Sequence, residues 1–158
     1  MSTASLVWFR DDLRLADNPA LTAAVTRGEP VVALYVLDEE SPGIRPLGGA
    51  AKWWLHGSLT ALATSLAEHD VQLVLRQGTA REVVAAVVAE MDAGAVFWNR
   101  RYGAAERDVD AGLKESLRAD GVEVESFAAS LLFEPWTIQT GSATPYSVVT
   151  PYGRACLA

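Results

Sequence analysis

The sequence predicts a doubly wound α/β fold, Rossmann-like or flavodoxin-like, in which five parallel strands in the order 3-2-1-4-5 carry helices on both faces. Two observations support this prediction. Short apolar runs, typical of strands buried on both faces, alternate about five times with amphipathic segments of helical length. Because alternating strands and helices are joined by right-handed crossovers, they produce a parallel sheet between two layers of helices.

The strands are predicted from continuous apolar runs that end in charged or turn-forming residues. They cover Leu6–Phe9, Val31–Leu37, Gln72–Arg76, Ala95–Trp98 and Val122–Phe127. The fifth run alternates apolar and polar residues more clearly than the others, which is typical of a strand that is less completely covered. We therefore place the fifth strand at an edge of the sheet.

The helices are predicted from apolar residues at helical spacing and from their end signals. They cover Pro19–Arg27, about Ala50–His69, Arg81–Met91 and Glu106–Ala119. The first helix has the clearest ends, because Asn18 and Pro19 form a good N-cap and N1 pair, while Gly28 and Pro30 form a stop.

The apolar stripes predict which helical residues are buried. In the first helix the stripe is Leu21, Ala24 and Val25, and in the second it is Ala51, Leu55, Leu59, Leu62 and Leu66; in the third it is Val84, Val87, Val88 and Met91, and in the fourth Val109, Gly112, Leu113 and Ser116. Trp53 points away from the stripe of the second helix. A large aromatic side chain is therefore expected on that helix's outer face, either as a tolerated surface residue or as a contact for another group.

Composition limits the classes of function. A chain of 158 residues, half of them hydrophobic, can bury the core of one domain. The net charge of −7 offers no general attraction to a nucleic-acid backbone. The single Cys156 excludes an internal disulfide and fits a reducing compartment, and the sequence has no secretory signal or membrane-length apolar run. We therefore expect a soluble, cytoplasmic protein.

Familiar catalytic and metal motifs are missing from the sequence. The loop after the first strand lacks the G-x-G-x-x-G pattern, and no phosphate-binding G-x-x-x-x-G-K-[ST] is present. His56 and His69 have no histidine or cysteine partner at metal-ligand spacing. We therefore predict no metal site and no self-sufficient catalytic centre in these residues.

Charged residues gather instead where the predicted strands end, at Arg10–Arg14, Asp38–Glu40 and Asn99–Tyr102. In the predicted strand order, the switch point lies between the first and fourth strands, so Arg10 and Asn99 should face one crevice at the usual ligand-binding rim. An alternative is that Arg10, Asp11, Arg14 and Asp17 pair with one another and only fix the loop. The residues alone leave both interpretations open.

Five blocks of sequence, in order, carry a resemblance to a known family. They are LVWFRDDLRLADNPAL, LGGAAKWWLHGSL, VFWNRRY, SLLFEPW and TPYSVVTPYGRA. Together they extend over essentially the whole chain, and the first block is highly specific. The chain resembles the N-terminal α/β domain of DNA photolyases and cryptochromes.

The resemblance implies a division of labour. Residues 1–130 would form a domain that binds a light-harvesting antenna, usually methenyltetrahydrofolate, with a deazaflavin or flavin as alternatives. Residues 131–158 would begin a linker to a helical domain that holds FAD and pyrimidine-dimer DNA. Light-driven repair of cyclobutane dimers would then belong to the full-length FAD protein, and no catalytic residue is expected here. The expected partner is this protein's own helical domain, with no membrane contact and a monomeric state.

The resemblance also implies site residues. Glu106 corresponds to the glutamate that folate-binding members use, although Ala105 stands where they have asparagine. Arg101 and Gly103 stand where deazaflavin-binding members have acidic residues, so neither antenna pattern is complete. The WNRRY and GGAAKWWLH forms resemble bacterial members with a folate antenna, and the folate is favoured for that reason. The candidate antenna cleft comprises Glu106, Asn99, Arg10, Trp53 and Arg101, with Trp53 alternatively contacting the helical domain.

Three other functions remain open from the sequence. The same domain occurs in cryptochromes, the light sensors of the family that no longer repair DNA. A stand-alone nucleotide-binding α/β enzyme is a hypothesis of another class, opposed by the missing phosphate loop. A third is a structural remnant that docks to a helical partner and binds no ligand.

Overall fold

The sheet has the predicted architecture. The structure, a computed structural model, describes residues 3–157. Five parallel strands lie in the order β3-β2-β1-β4-β5. They are β1 (Ser5–Phe9), β2 (Val31–Leu37), β3 (Leu73–Gln77), β4 (Ala95–Asn99) and β5 (Glu123–Phe127). The fold class is therefore confirmed, and β5 lies at an edge as the sequence predicted.

Helices follow each of the first four strands, and a fifth helix lies in the C-terminal segment. Their bounds are α1 (Pro19–Thr26), α2 (Gly49–Ala67), α3 (Ala80–Glu90), α4 (Ala104–Ala119) and α5 (Val149–Cys156). The start of α1 follows from its sequence, because the side chain of Asn18 accepts a hydrogen bond from the backbone N–H of Leu21 and Pro19 opens the helix.

The sheet has a separate apolar core on each face. Trp8 of β1 and Trp98 of β4 lie opposite each other and pack edge to face, 5.7 Å between ring centroids, beneath α3 and α4. Val7 and Phe97 point to the other face and pack with Ala24 of α1 and with α2. Because side chains alternate along a strand, successive residues of β1 and β4 serve opposite cores.

Three of the predicted apolar stripes are partly wrong, because Val25 on α1, Ala51 on α2 and Ser116 on α4 are exposed. Val25 is 61% exposed on α1, where Ala20 is buried together with Ala24. On α4, Ser116 is exposed, and Leu117 and Asp110 are buried beside Leu113. Helical spacing alone does not fix how far a helix is rotated about its axis, and packing against the sheet favours the larger Leu117 over Ser116.

The helix α2 covers the sheet with its C-terminal half only. Leu62 and Leu66 are buried, Leu55 and Leu59 are half-buried, and Ala51 is exposed. Trp53 and its neighbour Trp54 are 77% and 71% exposed. The outward direction predicted for Trp53 is therefore confirmed, and the first half of α2 leaves two indole rings uncovered.

The helix α5 lies in the segment that was expected to be only a linker, and no helix was predicted there. Pro151 falls in the first turn of α5, where a proline N–H would have no intrahelical partner in any case, so it does not break the helix. Gly153 lies inside the helix, and none of the eight helical residues is buried. The helix α5 was therefore missed, because Pro151 and Gly153 were interpreted as residues that prevent a helix.

Candidate functional site

A cavity of about 220 Å³ opens at the carboxyl ends of the central strands. Its walls come from the end of β1, the end of β2, the loop before α2, and the β4–α4 connection. The lining residues are Trp8, Arg10, Asp11, Tyr35, Val36, Leu37, Asp38, Ile44, Arg45, Leu47, Arg101 and Glu106. We call this space the rim cavity. It lies where open α/β sheets bind their ligands, so the fold and the charged strand exits agree on its position.

Arg10 is the most deeply held charged residue of the rim cavity. Its Nη1 donates to Asp110 Oδ1 at 2.5 Å, and its Nη2 donates to Asp110 Oδ2 at 3.1 Å and to the carbonyl of Asn99. Trp98 Nε1 donates to the same carboxylate at 2.9 Å. Burial lowers the pKa of the Arg10 guanidinium and Asp110 opposes that change. Because a guanidinium stays protonated in proteins, the result is a buried, fixed ion pair between β1 and α4.

Three N–H groups of the rim cavity residues have no hydrogen-bond partner. Buried side-chain atoms without a partner, among residues 3–157, are Trp8 Nε1, Arg10 Nε, Arg101 Nε and Glu134 Oε2. The first three belong to residues that line the rim cavity. All three groups can only donate hydrogen bonds, and leaving a buried donor unpaired costs free energy. A ligand with acceptor atoms, or ordered water, would satisfy them.

Glu106 lies at the start of α4, in the position where a side chain can reach back to the helix end. Gly103 is the N-cap residue of α4, and an added Cβ at Gly103 would lie only 2.0 Å from Glu106 Oε2. The carboxylate of Glu106 is therefore folded over Gly103, in a space that exists because Gly103 has no side chain. The missing side chain at Gly103 sets the position of Glu106 in the wall of the rim cavity.

The electrostatics of the rim cavity are mixed. Burial raises the pKa of the Tyr35 hydroxyl, the carboxylate of Asp11 raises it further, and Arg101 partly offsets both effects. Tyr35 is consequently a neutral hydrogen-bonding group at physiological pH. Acidic, basic and phenolic groups line one small space, which suits a neutral or zwitterionic polar ligand better than a highly charged one.

The structure brings together three of the five residues named from the sequence. Arg10, Arg101 and Glu106 line the rim cavity, whereas Asn99 and Trp53 do not. Asn99 Oδ1 accepts from the backbone of Ala20, and its Nδ2 donates to Asn18, so its side chain holds the start of α1. Arg10 and Asn99 were expected to face one crevice. Because side chains alternate along a strand, these two point to opposite faces of the sheet.

Trp53 lies on the exposed side of α2, outside the rim cavity. Trp53 could line this cleft only if the outer face of α2 were turned toward the sheet. Leu62 and Leu66 on the other face of α2 pack on the sheet instead, so the prediction that Trp53 lines this cleft is wrong.

The charged loop after β1 acts mainly through the backbone. Arg14 donates to the carbonyls of Asp17 and Ala129, at 2.9 and 3.0 Å, and Asp12 accepts from the backbone N–H of Arg10. Among residues 3–157, no ion pair joins the arginines and aspartates of this loop to one another. Mutual pairing of these side chains therefore does not fix the loop. Several of the charged groups instead hold the backbone of the loop by hydrogen bonds.

The sequence did not point to Trp8 and Tyr35, which line the rim cavity, or to Asp110, which holds Arg10 from outside the lining. Asp110 sits in the middle of a helix, and a search for apolar stripes gives no weight to a buried carboxylate. Trp8 and Tyr35 belong to strands that were interpreted only as core. The sequence signal was their position two or three residues before a charged strand exit, which places a side chain near the rim.

A shallower groove of about 690 Å³ between α1 and β5 contains none of the five candidate antenna residues. Within residues 3–157, no three His, Cys, Asp or Glu side chains come together as metal ligands. In the same part of the chain, no helix combines the length and hydropathy needed to cross a bilayer.

A parallel sheet of order 3-2-1-4-5 with a polar cavity at its strand ends defines an α/β domain of the nucleotide- and cofactor-binding class. The sequence model described as DNA photolyase matches residues 5–158 of the chain. The chain belongs to the DNA photolyase family, as its sequence blocks indicated.

Both photolyases and cryptochromes are similar to the chain. It is 49% identical to a deoxyribodipyrimidine photo-lyase of Agrobacterium fabrum and 39% identical to Cryptochrome-1 of Arabidopsis thaliana, over 95% and 97% of its length. The crystal structure of a bacterial class III photolyase from Agrobacterium tumefaciens superposes with a TM-score of 0.91 at 45% identity, covering 100% of this chain and 32% of that one. The chain spans 31% of the photo-lyase and 22% of the cryptochrome.

Proposed function

We propose that the chain is the antenna domain of a DNA photolyase and that the rim cavity binds a light-harvesting chromophore. The observation that carries the proposal is the set of three unpartnered donors, Trp8 Nε1, Arg10 Nε and Arg101 Nε, in residues around one cavity at the strand ends. Conjugated heterocycles with carbonyl and ring-nitrogen acceptors match such donors. The ion pair of Arg10 with Asp110 keeps one of those donors, Arg10 Nε, in place.

Methenyltetrahydrofolate is the chromophore we favour, with a deazaflavin or flavin as the alternative. Glu106 supports the folate, because a carboxylate accepts hydrogen bonds from the amino and ring N–H groups of a pterin. Arg101 stands where deazaflavin-binding relatives carry acidic residues, which also supports the folate. A cavity of about 220 Å³ is small for a whole cofactor, so the ring would enter it and the tail would remain outside.

The test is a titration of the purified protein with methenyltetrahydrofolate, followed by near-ultraviolet absorbance. We expect a shifted band that saturates, and a weaker affinity in Glu106→Gln. Glu115→Gln, a change of an exposed glutamate on the same helix, is the matched control and should bind like the wild type. Parallel titrations with a deazaflavin and with FMN distinguish the alternatives. No shifted band with any of the three would contradict the proposal.

We further propose that the full-length protein carries out light-driven repair of cyclobutane pyrimidine dimers, with FAD and DNA bound outside these residues. Exposed apolar side chains support the proposal that another protein surface covers part of this domain. Beyond β5 the exposed side chains include Leu132, Val149 and Leu157, and α5 buries none of its residues. Eight residues are too few for a stable isolated helix, so α5 requires a surface to pack against. Trp53 and Trp54 are a second uncovered apolar feature available to the same partner.

A cryptochrome is the second candidate, supported by the 39% identity to Cryptochrome-1. The discriminating experiment is a light-dependent repair assay on the reduced, FAD-loaded full-length protein with dimer-containing DNA. Repair supports the photolyase, whereas a light-responsive flavin without dimer reversal favours the sensor.

A further inference from the structure

A second cavity lies on the other side of the β4–α4 connection and is not explained by chromophore binding. It has a volume of about 280 Å³ and lies between α4, the end of β5 and Trp136. Its charged walls include Arg101, Arg107, Lys114 and Asp108. We call this space the basic cavity. It shares Arg101 with the rim cavity.

The basic cavity has an excess of uncompensated positive charge. Arg100, a further wall residue, is paired with Glu134 at 2.6 Å, and the carboxylate of Asp110 is taken up by Arg10. Within residues 3–157, no carboxylate lies in ion-pair contact with Arg101, Arg107 or Lys114. Three cations therefore face the single free carboxylate of Asp108, in a chain whose net charge is −7.

Lys114 is a partly buried cation with other basic side chains nearby. Its ammonium donates to Ser126 Oγ at 2.6 Å and lies 5.7 Å from the ring centroid of Trp98. Burial lowers the pKa of Lys114, the guanidiniums of Arg118 and Arg100 lower it further, and the carboxylates of Asp110 and Glu125 partly oppose that change. An anion in the basic cavity would relieve the repulsion among these groups.

An aromatic wall completes the basic cavity. The indole of Trp136 lines it, is 54% exposed, and lies 5.9 Å from the guanidinium carbon of Arg100. A planar ring can stack on an exposed indole, while guanidinium and ammonium donors match phosphate oxygens. The volume is close to the lower limit of small-molecule sites, roughly 300 Å³, which restricts the ligand to a small molecule.

We propose that the basic cavity binds a small phosphomonoester carrying a planar ring, the chemistry of a mononucleotide, with Lys114 and Arg107 on the phosphate and Trp136 against the ring. This site is separate from the proposed chromophore site, since only Arg101 is common to both.

The test is calorimetric titration of the purified protein with AMP, adenosine and inorganic phosphate. We expect AMP to bind at least tenfold more tightly than adenosine or phosphate alone. Lys114→Met and Arg107→Gln should each weaken AMP at least tenfold, and Trp136→Ala should bring the affinity for AMP down to that for phosphate. Arg101 is left unchanged so that the rim cavity stays intact.

Arg81→Gln is the matched control for Arg107→Gln, because both arginines are exposed, near the start of a helix and without an ion pair. It should bind AMP like the wild type. Because Arg107 is exposed, its replacement keeps the test valid even if Lys114→Met does not fold. The proposal is overturned if AMP does not bind, if adenosine binds as tightly, or if Arg107→Gln and Arg81→Gln behave alike.

Discussion

Asp110 is the residue on which the geometry of the rim depends. Its two oxygens accept from Arg10 and Trp98, which joins the end of β1, the end of β4 and α4 in one buried network. The guanidinium of Arg10 also lies 4.5 Å from the ring centroid of Trp8. Because the ion pair is buried, neither partner can be removed without leaving the other unpaired.

We expect Asp110→Ala to lower the free energy of unfolding by about 3–5 kcal/mol, because it leaves the Arg10 charge buried without a partner. Urea unfolding measures the change. Asp108→Ala, at an exposed neighbour on the same helix, should change it by no more than about 0.5 kcal/mol. The double variant Arg10→Met/Asp110→Leu should recover much of the loss, since it removes both charges. Equal effects of the two single variants would contradict this role of Asp110.

A second prediction concerns the position of Glu106. Gly103→Ala should weaken chromophore binding about as much as Glu106→Gln, because the new methyl group would occupy the place of Glu106 Oε2 and displace the carboxylate. The double variant Gly103→Ala/Glu106→Gln should bind no more weakly than either single variant. Absorbance titration measures all three affinities. Additive losses would mean that Gly103 acts on the site independently of Glu106.

Single residues of the site were predictable from the sequence to different degrees. Arg10, Arg101 and Glu106 follow a strand end or open the next helix, so the rule that ligands bind at carboxyl ends of parallel strands places them together. Asn99 satisfied the same rule but points to the opposite face. Asp110 could not be found, because a carboxylate inside a helix is usually solvated and nothing local indicates that it is buried.

At the scale of elements, Asp38 connects β2 to α3. One of its oxygens accepts from the backbone N–H groups of Glu40 and Ser41, and the other accepts from that of Ala80 at the start of α3. The N-cap residue Thr79 makes no side-chain cap bond, so Asp38 supplies a carboxylate to that helix end from another part of the chain.

This contact predicts a pH dependence. Burial by itself would raise the pKa of Asp38, but hydrogen bonds from Ser41, Ala80 and Glu40 outweigh it, and the pKa is lowered. A carboxyl group with a depressed folded-state pKa stabilises the fold above its unfolded pKa of about 3.9 and loses that contribution as the pH falls through the folded value. Asp38→Asn should therefore be less stable than the wild type at pH 7, with a difference that shrinks below about pH 4.

Urea unfolding between pH 7 and pH 2 measures that difference. Asp120→Asn, at an exposed aspartate that follows α4, is the control, and its difference from the wild type should stay small throughout. A difference for Asp38→Asn that is the same at pH 7 and pH 2 would show that the carboxylate charge does not matter.

The helix α2 offers a contrast between its two faces. Leu66→Ala should lower the free energy of unfolding by about 2–5 kcal/mol, because the leucine is buried against the sheet. Trp53→Ala should change it by no more than about 0.5 kcal/mol, because the indole is exposed. Thermal or urea unfolding of the two variants checks this. A large loss in Trp53→Ala would mean that the outer face of α2 is packed.

The positions of the strands and helices along the chain were more predictable than the rotation of each helix about its axis. All five strands were located within a residue or two. For the central strands this is because a buried parallel strand needs apolar side chains on both faces, whereas the edge strand β5 shows an alternating pattern. The rotation of α1 and α4 about their axes was less predictable. Val25 and Ser116 fit the helical spacing, but other residues of these helices pack against the sheet in their place. The helix α5 was missed because Pro151 and Gly153 are typical of loops. Proline is nevertheless compatible with the first turn of a helix, where Pro151 lies.

At the scale of the whole molecule, charge and apolar surface are unevenly distributed. The net charge is −7, yet the β4–α4 connection and α4 concentrate cations around the basic cavity. Many of the exposed apolar side chains lie on the outer face of α2 and in the segment beyond β5. A domain that binds a chromophore at the strand ends and packs through its C-terminal segment accounts for the rim cavity and for the uncovered α5.

Chromophore binding in the rim cavity is tested directly by a crystal structure of the protein soaked or grown with methenyltetrahydrofolate. We expect the pterin ring inside the rim cavity, with acceptor atoms within hydrogen-bonding distance of Trp8 Nε1, Arg10 Nε or Arg101 Nε and with Glu106 at its edge. A chromophore bound against Trp53 and Trp54, with only water in the rim cavity, would contradict it.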